Sequence, residues 1–73
     1  MSSTVYSVVE LIGSSPESWE KATANAIDEA ARSTGGDLRV AEVTEMDVLI
    51  EDGKVLAYRS KVRLSYKTSA RAD

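Results

Sequence analysis

Cysteine and histidine are both missing from this 73-residue chain, and proline occurs once. Without cysteine there are no disulfides and no thiolate zinc sites. Without histidine there are no Ser-His or Cys-His nucleophile dyads, and the commonest transition-metal ligand is gone. No Gly-rich phosphate loop is present, and the remaining carboxylates, lysines and tyrosines fall into no partnered arrangement, so the chain does not read as an enzyme. Positive charge is also scarce: nine Lys and Arg against twelve Asp and Glu leave a net −3. A phosphate-binding surface needs the opposite balance, which argues against nucleic acid as a partner. No run is apolar and long enough to span a membrane, and no basic and apolar leader opens the chain, so no membrane partner is expected and a cytoplasmic location is. A domain this short buries only about 60% of its unfolded surface, and self-association is the general means of stabilisation left to it.

What is present reads as one α+β unit of order β-α-β-β. Thr4 to Ile12 (TVYSVVELI) is rich in β-branched and aromatic residues and ends at Gly13-Ser14-Ser15-Pro16. It is apolar on both faces, which predicts a central strand. Ser15 is placed to cap a helix with Pro16 in its first position. From Pro16 to Thr34 the residues Trp19, Ala22, Ala26, Ile27 and Ala30 recur at helical spacing, and Gly35-Gly36 ends the run. So alanine-rich a stripe predicts a helix lying close on a sheet.

Asp37 to Glu51 and Val55 to Lys67 read as two long strands joined at Asp52-Gly53, a dipeptide suited to a turn with positive φ at both central positions. An uninterrupted ladder from that turn pairs Val43 with Val62, Ala41 with Leu64, Leu49 with Leu56, Glu42 with Arg63, Thr44 with Lys61 and Glu45 with Ser60. It also puts Glu45, Asp47 and Ser60 on the helix-bearing face. The other face then carries Leu38, Val40, Glu42, Thr44, Met46, Val48 and Ile50 beside Val55, Arg59, Lys61 and Arg63. One helix cannot cover the apolar part of both faces, which predicts an oligomer. Residues 1–67 form a single domain on this reading, and 68–73 a disordered tail.

The order strand, Gly-Ser-Ser-Pro-Glu, helix, long hairpin resembles the dodecin family from about Val5 to Lys67. Tyr6 to Ser15 (YSVVELIGSS), Ala26-Ile27-Asp28-Glu29-Ala30 and Leu38 to Val43 (LRVAEV) carry the likeness. It implies a three-stranded antiparallel sheet wrapped around one helix, and a hollow homododecamer that binds or stores small ligands. In flavin-binding dodecins a tryptophan early in the second strand stacks on the isoalloxazine ring, and a glutamine in the third strand bonds its polar edge. The matching positions here are Val40 and Arg59. Valine offers no aromatic face and arginine no acceptor, so FMN or riboflavin binding is expected to be impaired or absent. Ser18-Trp19-Glu20, Arg39-Val40-Ala41 and Glu45-x-Asp47 resemble the calcium dodecin subgroup, which implies a divalent-cation site.

Glu45 and Asp47, two apart on one strand, would leave the same face about 7 Å apart. With Ser60 and carboxylates or waters from neighbouring subunits they would suit calcium, which prefers oxygen ligands. The alternative is a strand emerging into solvent, or ion pairing with a neighbour. Arg59, Lys61 and Arg63 would form either cross-strand pairs with acidic neighbours or, multiplied by symmetry, a basic strip for an anionic ligand. Family architecture also suggests Glu10 near a pore. Trp19 is read as packing rather than as a ligand partner. Three functions remain open: a cation-binding shell, a flavin-sequestering dodecin, and a structural shell without a specific ligand.

Overall fold

A computed structural model describes residues 5–34 and 38–67. The elements run β1 (Tyr6–Ser15), α1 (Trp19–Thr34), β2 (Leu38–Glu51) and β3 (Lys54–Lys67). Thr4, Gly35-Gly36, Asp37 and the tail expected at 68–73 lie outside the described residues. The three strands form one antiparallel sheet in the order β1-β3-β2. The expected β-α-β-β, α+β architecture is therefore present, but β3 rather than β1 takes the centre. β1 is an edge strand whose outer residues Tyr6, Val8 and Ile12 stay exposed, so its two-sided apolar pattern has no cover within the subunit.

The turn forms as read from Asp52-Gly53, with φ of 53° and 74°. The ladder beyond it is not uninterrupted. Leu56 is an extra residue on β3, because Ile50 pairs with Val55 while Leu49 pairs with Ala57. Thr44 is an extra residue on β2, because Glu45 pairs with Lys61 while Val43 pairs with Val62. The second bulge cancels the first, and between them every β2 residue sits one place from the simple hairpin register. Met46 faces Ser60 and Val48 faces Tyr58 on the helix side, while Glu45 and Asp47 turn to the outer face. A third irregularity at Arg39 brings Leu38 back to the helix side, where it packs on the core. Single-residue slips invert side-chain facing because the strand period is two.

The helix begins at Trp19, three residues later than the Pro16 start. Ser18 is its cap, accepting from the Lys21 amide at 3.0 Å, whereas Ser15 accepts from the Glu17 amide and shapes the turn before it. Ala22, Ala26 and Ala30 are buried. Ala26 and Ala30 pack with Val62 and Leu64, with Val9, Leu11, Ile27 and Leu38 around them. The alanine stripe does lay the helix close on the sheet: a Cβ on Gly13 would run into the Ala22 carbonyl. Gly13 is thus a contact point inside β1 and not its end. The helix covers β1 and β3 but leaves Val43 and Met46 of β2 exposed. The subunit measures 57 × 19 × 14 Å, and its radius of gyration is 15.1 Å, well above the roughly 11 Å of a compact chain of this length.

Candidate functional site

The sheet's outer face carries most of the chemistry. Along β3 the side chains Arg59, Lys61 and Arg63 alternate with the buried Ser60, Val62 and Leu64, so all three cations lie on that face. Each has an acidic residue opposite it on β2: Asp47, Glu45 and Glu42 respectively. Cross-strand neighbours on one face stand close enough to pair. Arg63 bridges the sheet, its Nη2 3.5 Å from Glu10 on β1 and its Nη1 3.9 Å from Glu42 on β2. The suggested pore residue Glu10 is therefore one end of a three-strand ion row. Arg59 holds Asp47 by both oxygens: Nε donates to Oδ1 at 2.7 Å and Nη2 to Oδ2 at 2.8 Å. Those hydrogen bonds, with the guanidinium charge, keep the Asp47 carboxyl below the ordinary aspartate range and raise Arg59. Glu45 has Lys61 opposite but makes no ion pair among the described residues, and the Thr44 hydroxyl donates to the Lys61 carbonyl at 3.3 Å.

The structure corrects two expectations about this set. Glu45 and Asp47 share a face, but Ser60 does not join them. Ser60 is fully buried on the other side, sharing a 2.7 Å hydroxyl hydrogen bond with Thr23 of α1. The Leu56 bulge, which lies between the turn and this stretch, is the cause. Lys61 likewise meets Glu45 rather than Thr44. Among the described residues no three carboxylates come together as a metal shell. The basic strip exists as a row but is flanked on both sides by acids. Val40, 60% exposed on the outer face, faces Ser65. Arg59 lies six residues from Ser65 along β3, about 20 Å away. One subunit therefore does not bring the two flavin-site equivalents together.

The sequence carried no sign of one further link. The Trp19 indole N–H donates to the Asp47 carbonyl at 3.1 Å, and its ring meets Tyr58 edge-on with centroids 4.9 Å apart. Trp19 does pack on the sheet as expected, yet it also ties the helix start to the backbone of the outer-face ion pair. Its partner on β2 is set by the same bulge, which residue types alone do not announce.

Among the described residues no helix is long and apolar enough to cross a membrane. A family model described as dodecin matches residues 5–69. Calcium dodecin from Mycobacterium tuberculosis is 42% identical over 64 residues, covering 88% of this chain and 89% of that protein. Its crystal structure, described as that of a calcium-chelating immunodominant antigen with a novel calcium-binding site, superposes with a TM-score of 0.77 at 41% identity over 94% of this chain and 97% of the other. Dodecin from Streptomyces davaonensis has a TM-score of 0.86 at 25% identity, over 94% of this chain and all of that one. Dodecin from Streptomyces coelicolor has 0.85 at 32%, over 97% and all of it.

Proposed function

The chain belongs to the dodecin family, and from that premise we propose that it is a non-catalytic binding protein working as a closed homo-oligomer, a hollow dodecamer, that takes up divalent cations, calcium first among them. The observation that carries the cation reading is the carboxylate pair Glu45 and Asp47, turned to one exposed face by the Leu56 bulge. The name of the Mycobacterium relative supports the choice of calcium. One subunit supplies two carboxylates, at most four of the six to eight oxygens calcium prefers, so waters and carboxylates of neighbouring subunits complete the shell. The oligomer reading rests on the uncovered sheet. Val8, Ile12 and Val40 are each more than half exposed on the outer face, and an apolar surface of that kind favours association.

A flavin reading keeps one point in its favour: Val40 is open on the outer face, where a ring from solvent can reach it. It lacks the aromatic surface that stacking needs. Native mass spectrometry of metal-free protein, repeated with calcium and with FMN, separates the readings. A twelve-subunit species gaining calcium but no FMN is expected. FMN uptake restores the flavin reading, an assembly that gains neither is a structural shell, and a monomer overturns the assembly.

A further inference from the structure

The turn between β2 and β3 holds a dipeptide with chemistry of its own. We propose that Asp52-Gly53 is a self-modifying site, at which the Gly53 amide nitrogen attacks the Asp52 side-chain carboxyl and converts the residue to isoaspartate. Both residues are exposed at the end of the hairpin. Their φ of 53° and 74° belong to the left-handed region, which aspartate tolerates and glycine adopts freely. The ladder closes on Glu51 and Lys54, so the Gly53 amide lies outside its pairs. A Cβ built on Gly53 would meet nothing within 4 Å. The nitrogen is thus open to the neighbouring carboxyl, with neither a β-carbon nor a packed residue in the way.

The change is a condensation followed by a hydrolysis. The Gly53 nitrogen forms a bond to Asp52 Cγ and gives up its proton, while a carboxyl oxygen leaves Cγ as water. The cyclic imide then takes water back. Opening at Cγ returns aspartate, and opening at the Asp52 main-chain carbonyl leaves Gly53 attached through Cγ, which is isoaspartate. Mass is unchanged, no electrons are exchanged, and water is the only co-reactant. The other described aspartates lack these conditions. Asp28 precedes Glu29 inside α1, where the helix ladder holds the amides. Asp47 precedes the β-branched Val48, and Arg59 holds both of its carboxylate oxygens. Isoaspartate carries the main chain through Cβ and Cγ, one carbon longer than before. A two-residue turn cannot absorb that, so the pairs Glu51–Lys54 and Ile50–Val55 part and the hairpin end frays. The partner that such a product fits is a carboxyl methyltransferase acting on isoaspartyl peptides.

The test is storage of the whole protein in warm neutral buffer, then digestion, peptide mapping by mass spectrometry, and labelling with an isoaspartyl methyltransferase and a labelled methyl donor. The peptide carrying Asp52 is expected to split with time into two species of equal mass and different retention, the new one taking up label. Peptides carrying Asp28 and Asp47 stay single. D52E keeps the charge, but its longer side chain closes a larger ring far more slowly, so label at this position should be lost. The comparison among aspartates is made within the wild type and holds whether or not D52E folds. A wild-type sample kept in denaturant completes the set. Isomerisation of Asp52 in denaturant only would show that the folded turn protects the dipeptide, and overturns the proposal. Label spread equally over the three aspartates, or retained at this position in D52E, overturns it as well.

Discussion

The carbonyl of Ala22 in α1 occupies the space that a side chain on Gly13 of β1 would need. Helix and edge strand touch there through backbone. Replacing Gly13 with alanine forces the helix off the sheet over Ala26 and Ala30 or bends β1 away from β3. Overpacking of this kind costs about 1–3 kcal/mol, and contact with backbone rather than a flexible side chain places G13A toward the upper end. Chemical denaturation of wild type and G13A at one fixed subunit concentration checks it, since an oligomer's stability depends on concentration. An unchanged midpoint contradicts the close approach.

Ser60 and Thr23 provide a second check on the interface. Ser60 is wholly buried, and its hydroxyl meets that of Thr23. S60A leaves the half-buried Thr23 hydroxyl without this partner and is expected to cost about 1–2 kcal/mol. The double variant T23V/S60A removes both groups, so its loss should fall short of the sum of the two single losses. A double-mutant cycle on denaturation midpoints measures that coupling, and strict additivity would show the hydroxyls to be independent.

Why Ser60 belongs to the core and not to a metal site illustrates what residue types reveal and what they hide. Asp52-Gly53 announces the hairpin because few dipeptides accept positive φ at both positions, and the alanine spacing from Ala22 to Ala30 announces a helix seated close on the sheet. Both are local signals. The facing of Glu45 and Asp47 depends instead on bulges at Thr44 and Leu56, and neither residue is a glycine or proline that would mark an interruption. Their cause is tertiary. With an uninterrupted ladder the charged Glu45 and Asp47 would point toward the helix side, and the bulges put Met46 and Val48 there instead. The edge position of β1 was hidden for a related reason: an apolar outer face normally marks a strand buried on both sides, and here it marks a surface the subunit alone leaves bare.

The Asp47–Arg59 pair predicts a pH signature. The folded-state carboxyl is lowered chiefly by hydrogen bonds from Arg59, with desolvation opposing and the guanidinium charge assisting. A group with a depressed folded pKa contributes stability that is fully present above its unfolded value, about pH 4, and lost as pH falls through the folded value. Thermal midpoints of wild type and D47N are therefore expected to differ above pH 4 and to converge below it. NMR titration should place Asp47 below an ordinary aspartate in wild type and return it to the ordinary range in R59Q. An Asp47 titration unaffected by R59Q would show the pair to be open in solution.

Val40 is the position at which flavin stacking can be tested by substitution. Its side chain is exposed on the outer face opposite the small Ser65, so a larger residue meets no packed neighbour within the subunit. V40W is therefore expected to leave the subunit fold intact, and native mass spectrometry checks that it still assembles, because Val40 lies on the apolar face proposed for association. If the missing aromatic surface is what prevents stacking, added riboflavin should keep its fluorescence with wild-type protein and be quenched by V40W. Position 59 lies about 20 Å from position 40 within one subunit and can reach the same ring only from a neighbouring subunit; if assembly brings the two together, V40W/R59Q, which adds a group that both donates and accepts, should quench at lower protein concentration than V40W alone. Quenching by wild type would show that Val40 suffices for the ring. An assembled V40W that leaves riboflavin bright would mean that the outer-face ion pairs, and not the absent tryptophan, close this surface to flavin.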